Sequence, residues 1–246
     1  MRILGIDIGG SGIKGAIVDT VSGQLISERL RLATPQPATP QAVAETVAEL
    51  VRQLDWQGAI GCGFPAIIRN GVAKSAANID QSWIGTDVAA LLTQAAGCNG
   101  TVLNDADAAG LAEMRFGCGR NHAGTVLVLT LGTGIGSALF YNGVLYPNSE
   151  LGHLQLNKGI AEQYASAAVR EREGLNWKAW AKRLNKVFAQ AERLLSPELI
   201  IIGGGVSRKH EKFFPYLDVQ AELKPAELRN QAGIIGAACH AAELQQ

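Results

Sequence analysis

Asn104, Asp105 and Asp107 place three polar side chains in one short segment, between the apolar run TVLN (101–104) and a stretch of helical spacing, DADAAGLAEMRFG. A helix start needs one such side chain to cap its free N–H groups, so capping accounts for one of them and leaves carboxylate chemistry over. Asp105, where strand meets helix, holds the kind of rim position from which a carboxylate accepts the proton of a bound hydroxyl. Three glycine clusters offer a second chemistry, each directly after an apolar run: Gly9-Gly10 followed by Ser11, Gly132-Thr133-Gly134 preceded by Thr130, and Gly203-Gly204-Gly205. Without a Cβ in the way, successive backbone N–H groups turn toward one point and an anion comes close. One such cluster is usually just a tight turn; three in this order are candidate phosphate cradles. Lys14 beside the first, and Arg208, Lys209 and Lys212 after the third, are cations able to pair with phosphate oxygens. Asp7 is a carboxylate that either caps the first turn or holds Mg²⁺ through water. Lys178, Lys182 and Lys186 form a stripe that reads first as a solvated helix face, and as a cation track only for a long polyanion.

These residues need elements to position them. RILGIDI (2–8) breaks at GGSG and resumes as IKGAIVD, a β-hairpin closed by the Ser22-Gly23 turn signal. TVLVLTL (125–131), GTGIG and SALFYNG repeat that order. Two copies so far apart predict two duplicated domains facing each other, with the cleft between them as the default site for a nucleotide or polyphosphate. Between the copies lie a Pro-rich loop (Ala33 to Pro40), a helix at AVAETVAELVRQL, a strand at AIGCGFP, and the TVLN strand with its helix, closed by Gly117. After the second hairpin, Trp177, Trp180, Ala181, Leu184, Val187, Phe188, Ala191, Leu194 and Leu195 are expected on one helix face, which Pro197 stops; LIIIGGGVS is a strand and glycine turn, and AGIIGAACHAAEL a last helix. The expected class is α/β with two domains, 1–117 and 118–246, the last helix packing back on the first.

The glycine turns do not fit the commoner nucleotide motifs. GxxxxGK[ST] is absent, and the turn at Gly9 leads into a strand where a dinucleotide site requires a helix. Lys plus Arg and Asp plus Glu both number 22, so no net field draws the chain to nucleic acid or a lipid surface, and any polyanion site must be local. Cys62, Cys98, Cys118 and Cys239 are scattered without metal-ligand spacing and read as buried thiols of a cytoplasmic protein. The start, MRILGIDIGG, has no signal-peptide pattern, and no apolar run reaches the length of a membrane span.

The motifs ILGIDIGGSGIKGAIVD, LNDADAAGLAE, LTLGTGIGSALFYNG, ELGH (150–153) and IIIGGGVS resemble those of the ROK family of sugar kinases, within the actin, hexokinase and heat-shock ATPase superfamily. KSAANIDQSWIGTD, PNSELGH, IAEQYAS with AVRERE, and LRNQAGIIGAA make the chain most similar to the family's polyphosphate-dependent glucokinases. The resemblance implies an actin-like two-domain fold and a glucose pocket of Asn78, Asn104, Asp105, Glu150, His153 and Glu162, with Asp105 as catalytic base. It implies Mg²⁺ and polyphosphate or ATP as donor, and a homodimer. Many ROK proteins hold zinc through cysteines after a Gly-His pair, but LQLNKGIAEQY has none, so no zinc is expected and His153 is read as a sugar ligand. Glu150, His153 and Glu162 supply acceptors and a switchable donor suited to hydroxyl recognition, which is selective because an unmatched sugar leaves polar groups unpaired. The alternatives are an ATP-dependent kinase of another hexose and a nonenzymatic sugar-sensing ROK protein. A repressor is disfavoured because the hairpin begins at Ile3, leaving no room for a helix-turn-helix before it, and the chain has no basic excess.

Overall fold

The apolar run at the start of the chain forms β1 (Arg2–Gly9), paired antiparallel with β2 (Gly12–Asp19) from Arg2↔Asp19 to Gly9↔Gly12. The computed structural model describes every residue except Asn78, Asn157, Lys158 and Gln246. The short strands β3 (Gln24–Leu25) and β4 (Leu30–Leu32) both pair with β2. Helix α1 (Pro40–Gln53) starts with Thr39 as its cap and Pro40 in the first turn, where a missing N–H costs nothing. Strand β5 (Ile60–Phe64) runs parallel to β1; β6 (Ile68–Arg69) and β7 (Val72–Ala73) form a small hairpin; Asp87 caps α2 (Val88–Ala96). Strand β8 (Gly100–Asn104) is parallel to β5 and passes straight into α3 (Asp105–Phe116). The main sheet has the order β3-β2-β1-β5-β8. Its core joins Leu4, Ile6 and Ile8 to Val43, Val47 and Leu50 of α1 and to Leu92 of α2. Trp83, fully buried, lies 4.5 Å from Phe64 and gives its indole N–H to the Ala38 carbonyl at 2.8 Å.

The second sheet comes from the second hairpin, β9 (Thr125–Leu131) and β10 (Ile135–Tyr141), with β11 (Val144–Tyr146) at its edge. Strand β10 begins at Ile135, two residues before the expected SALFYNG, because Ile135 already pairs with Leu131. Next come β12 (Gln155–Leu156), β13 (Gly159–Ile160), α4 (Ala161–Ala165) and α5 (Ala167–Arg172). Helix α6 (Trp177–Leu195) is capped by Asn176 and ends in left-handed Ser196, just before the Pro197 stop. Strands β14 (Leu199–Gly203) and β15 (Glu222–Pro225) complete the order β11-β10-β9-β14-β15, with β14 parallel to β9. The core is aromatic around Trp180, Phe188 and Phe213, all fully buried, and Phe213 also stacks on Trp177 at 6.0 Å. The last helix is α7 (Ala232–Glu243).

The chain divides into the units Met1–Ala112 with Gln231–Gln246, and Glu113–Asn230. The division falls inside α3 rather than after residue 117, and Glu113 supplies the reason. Its side chain is buried, and its carboxylate accepts the N–H groups of Glu227 at 3.2 Å and Leu228 at 2.8 Å, tying the last turns of α3 into the second unit. Helix α7 belongs to the first unit, where it packs on β1 and β5. No side chain separates helix from sheet there. A Cβ on Gly5 would be driven into the Ile234 carbonyl oxygen, and one on Gly61 into that of Ala237. On the far side of the helix, a Cβ on Gly236 would enter the Ala108 carbonyl oxygen of α3.

Backbone cannot yield as a flexible side chain does, so Gly61→Ala and Gly236→Ala should each lower unfolding free energy by about 2–3 kcal/mol or more, as overpacked sites do. Urea denaturation is the measurement. A loss under about 1 kcal/mol would mean that α7 can shift from the sheet, or from α3 in the case of Gly236, with little penalty.

Candidate active site

In the first unit, the strand ends settle which side chain caps α3. Asn104, buried, accepts the N–H groups of Ala106 at 2.9 Å and Asp107 at 3.1 Å on Oδ1, and donates from Nδ2 to the Ala66 carbonyl at 3.1 Å. Capping therefore falls to Asn104, a role the sequence reading offered to any of three residues. Asp105 is the first residue of the helix, half-buried, with Oδ1 accepting the Ala106 N–H at 2.8 Å; Asp107 is buried. An acidic group in a first turn is favoured by the helix dipole. Asp105 stands at the carboxyl end of parallel strand β8, the end at which α/β sheets bind ligands.

The first glycine turn closes β1 and β2 at the same edge of the sheet, since β1, β5 and β8 are parallel. Asp7 and Lys14 face each other across the hairpin and form an ion pair of 2.9 Å, both half-buried. Gly10 and Ser11 are exposed at the tip. Arg31 of β4 donates to the Ser11 carbonyl at 2.8 Å, and the Thr34 hydroxyl donates to that of Gly9, so the turn is braced from outside. Sequence reading missed both braces; Lys14↔Arg31 pairing in the sheet is what brings the arginine there. Gly10 also lines a cavity of 260 Å³ with Pro37, Ala77, Ile79 and Asp80. Asn78, the expected sugar ligand, lies outside the described residues.

In the second unit the other two glycine turns are neighbours, because β9 and β14 are parallel and Thr130 pairs with Gly203. Gly132 and Gly134 close on each other by a 3.1 Å backbone bond around Thr133, and the Gly132 carbonyl accepts from Ala168 at 3.1 Å. Gly204 has φ +80°, and a Cβ there would strike the Leu131 backbone, so only glycine lets the third turn seat against the second. The buried Ser207 fastens that turn through its hydroxyl to the Gly204 carbonyl at 2.8 Å. Gly205 opens a 3₁₀ segment, Gly205–Lys212, from which Arg208, Lys209 and Lys212 extend into solvent.

Glu150, His153 and Glu162 come together in the same unit. The imidazole lies between two carboxylates, with Nδ1 3.4 Å from Glu150 Oε2 and Nε2 3.8 Å from Glu162 Oε1. Glu162 accepts the Ile135 N–H on Oε2 at 3.4 Å, which attaches the trio to the residue directly after the second glycine turn. Gly152 is needed at that junction, since a Cβ would enter the Ile135 carbonyl oxygen. Buried Ser137 of β10 holds the loop before it, donating to the Ser149 carbonyl at 2.7 Å and accepting the Leu151 N–H at 2.9 Å. The sequence signal for Ser137 was a hydroxyl at an inward strand position, and it went unread. Among the described residues, no group of three or more His, Cys, Asp or Glu is arranged to hold a metal ion. Cys62, Cys98 and Cys239 are buried as expected; Cys118 is half-buried, and burial with the adjacent Glu113 carboxylate pushes its thiol up to about 12.

Burial raises the Glu150 carboxyl above its ordinary value; the His153 side chain opposes that shift and the Glu162 carboxylate adds to it. The folded protein thus holds this proton more tightly than the unfolded chain, and its ionisation costs stability as pH rises through and above the ordinary glutamate range. Glu150→Gln should melt higher than wild type near pH 7.5, and the gap should narrow as pH falls toward about 4.5. Equal melting temperatures at both pH values would show that His153 fully offsets the burial.

Residues 3–171 match the ROK family. A polyphosphate glucokinase of Mycobacterium tuberculosis is 50% identical over 235 residues, spanning 95% of this chain and 89% of that protein. The crystal structure of an inorganic polyphosphate/ATP-glucomannokinase from Arthrobacter sp. strain KM matches with a TM-score of 0.96 at 52% identity, covering 100% of this chain and 99% of that one. A ROK family glucokinase from Streptomyces griseus, solved with glucose and AMPPNP, matches with a TM-score of 0.86 at 25% identity, covering 99% and 100%. Paired glycine-turn hairpins, a strand-end carboxylate and a family match over most of the length lead to one conclusion: the chain belongs to the ROK family and has its actin-like α/β fold.

Proposed function

We propose that the protein is a glucokinase that transfers a phosphoryl group from inorganic polyphosphate, and from ATP, to the 6-hydroxyl of glucose. The observation that carries this reading is 50–52% identity, over nearly the whole chain, to two proteins named for phosphorylating glucose with polyphosphate. Asp105 is the base. Its carboxylate takes the proton of the 6-hydroxyl as that oxygen bonds to the terminal phosphorus; the bond from that phosphorus to its bridging oxygen breaks, and a donor one phosphate shorter leaves. Capping by Asn104 supports this role, because it takes the N–H of Asp107 and shares that of Ala106, so a single N–H falls to Asp105. Asn104 keeps one amide hydrogen for the sugar beyond its bond to Ala66.

Glu150, His153 and Glu162 bind glucose hydroxyls in this reading, together with Asn78. The trio suits a polyol, since two carboxylates accept O–H groups while the imidazole donates or accepts. Gly9, Gly10, Ser11 and Lys14, then Thr130, Gly132, Thr133, Gly134, Gly204 and Gly205, receive the donor phosphates, and Arg208, Lys209 and Lys212 meet the chain beyond them. Asp7, a half-buried carboxylate with Lys14 on one oxygen, fits an ion held through water and is the residue that would hold Mg²⁺. When bound, Mg²⁺ neutralises charge on the transferring phosphoryl oxygens. The name of the Arthrobacter relative adds mannose as a second acceptor to test. We place the enzyme in the cytoplasm as a homodimer, for which the exposed Tyr141, Val144 and Tyr146 of the β10–β11 hairpin are available apolar surface. Among the described residues no helix is long and apolar enough to cross a membrane.

Purified protein with glucose and either donor should form glucose 6-phosphate, and Asp105→Asn should slow that reaction on the order of a hundredfold or more while still binding glucose. Near-normal turnover by the variant removes Asp105 from the mechanism; turnover with ATP alone returns the enzyme to an ATP-dependent kinase.

His153→Ala should raise the KM for glucose by about tenfold and leave the donor KM near wild type, because its contact is with sugar hydroxyls. A raised donor KM with an unchanged glucose KM would assign His153 to the phosphate.

A further inference from the structure

Helix α6 carries five of the chain's 22 cations, Lys178, Lys182, Arg183, Lys186 and Arg193, against a single carboxylate, Glu192. That carboxylate is engaged elsewhere, its Oε1 accepting the backbone N–H groups of Gln220 and Ala221. Arg183 is taken by Glu173 at 2.6 Å. The exposed face that remains runs through Lys178, Lys182, Lys186, Ala189 and Arg193, without an acid. A solvated helix face ordinarily intersperses Glu at i±3 or i±4 from its lysines, and like charges at i, i+4 repel. No Asp or Glu stands three or four residues from any of the three lysines. Two of them are held over aromatic rings instead: Lys178 Nζ lies 5.9 Å from the Tyr216 ring centre and Lys186 Nζ 5.5 Å from that of Tyr164.

The stripe is joined to the cations that follow the third glycine turn. Phe213, next to Lys212, stacks on Trp177, next to Lys178, at 6.0 Å, and packs edge-on against Trp180 at 4.9 Å. Asn185 clasps the same segment, giving its amide to the Tyr216 carbonyl and accepting the Asp218 N–H, both at 3.1 Å. From Arg208, Lys209 and Lys212 the positive surface thus passes to Lys178 and along α6, with Glu211 the one acid in the 3₁₀ segment Gly205–Lys212. Lysines four residues apart on a helix recur about every 6 Å along its axis, a repeat that suits a flexible polyanion lying along the helix.

We propose that Lys178, Lys182 and Lys186 form a secondary track for the distal part of a bound inorganic polyphosphate chain, continuing from Arg208, Lys209 and Lys212. The proposal rests on the polyphosphate reading above and deepens it: the glycine turns hold the reacting end of the donor, and α6 holds chain that does not react. A short donor never reaches the stripe. A long one gains affinity from it through released counterions, in a salt-dependent way.

The test compares long-chain polyphosphate with tripolyphosphate as donors, in wild type and in two triple variants, K178Q/K182Q/K186Q and K178R/K182R/K186R. In the glutamine variant the ratio of long-chain to tripolyphosphate kcat/KM should fall on the order of tenfold, through KM for the long chain with kcat kept, and its salt dependence should weaken. The arginine variant should keep the wild-type ratio and salt dependence. An unchanged ratio in the glutamine variant overturns the track, as does an equal fall in both variants, which would make the effect one of shape. If the glutamine variant loses affinity for single-stranded DNA while its polyphosphate ratio is unchanged, the stripe is a nucleic-acid surface and the proposal fails. Wild type that cannot use polyphosphate at all overturns the donor reading itself, a result distinct from an enzyme that uses long and short chains without regard to α6.

Discussion

Helix α7 rests on the first sheet with backbone against backbone, and the geometry of the first unit follows from that depth of seating. Gly5 and Gly61 clear the strand side and Gly236 clears the side facing α3. Strand β1 ends in the first glycine turn, β5 lies beside it, and β8 ends at Asn104 and Asp105. A helix set one methyl group higher would move α3, and with it Asp105, relative to the turn. Phosphoryl transfer tolerates little error of that kind, because its rate depends on how a hydroxyl and a phosphorus are aligned.

Around both candidate half-sites, neutral polar side chains do most of the work of holding the backbone in shape, with Asp105 and Glu162 each accepting one N–H and Arg31 giving to one carbonyl. Asn104 caps α3, Thr34 braces the first turn, Ser207 fastens the third, and Ser137 fixes the loop ahead of Glu150. A carboxylate spent on such work would be less basic toward a substrate, since each N–H it accepts favours its charged form. Glu150 shows the other side of this division. It sits partly out of water beside an imidazole whose other nitrogen faces a second carboxylate, an arrangement that is costly without a polar guest and suited to one that brings hydroxyl groups.

Much of this was legible in the order of residues. Both hairpins announced themselves as apolar runs broken by glycine, and the crowding of Asn104, Asp105 and Asp107 marked a strand end with more polar groups than a cap requires. What could not be read were relations between residues far apart in the chain. Arg31 reaches the first turn only because β4 pairs with β2, and Ser137 meets Ser149 only because a loop folds back over β10. The end of the first unit was placed at residue 117 by the glycine that closes α3, whereas the fold divides at Ala112, because the Glu113 carboxylate takes its partners at Glu227 and Leu228. The lysines of α6 were visible as a stripe, but their lack of acidic neighbours gains meaning only once Phe213 is seen stacked on Trp177.

The membership of α7 in the first unit also bears on how the protein is made. Residues 1–112 leave the ribosome before the second unit, yet the helix that covers β1 and β5 emerges only after that unit has. At translation rates of about 5–20 residues per second, that sheet waits on the order of ten seconds with its glycine-lined face bare. For that interval the nascent chain presents the open, apolar strands that chaperones recognise, and the second unit, continuous in sequence from Glu113 to Asn230, is free to complete its fold before the first.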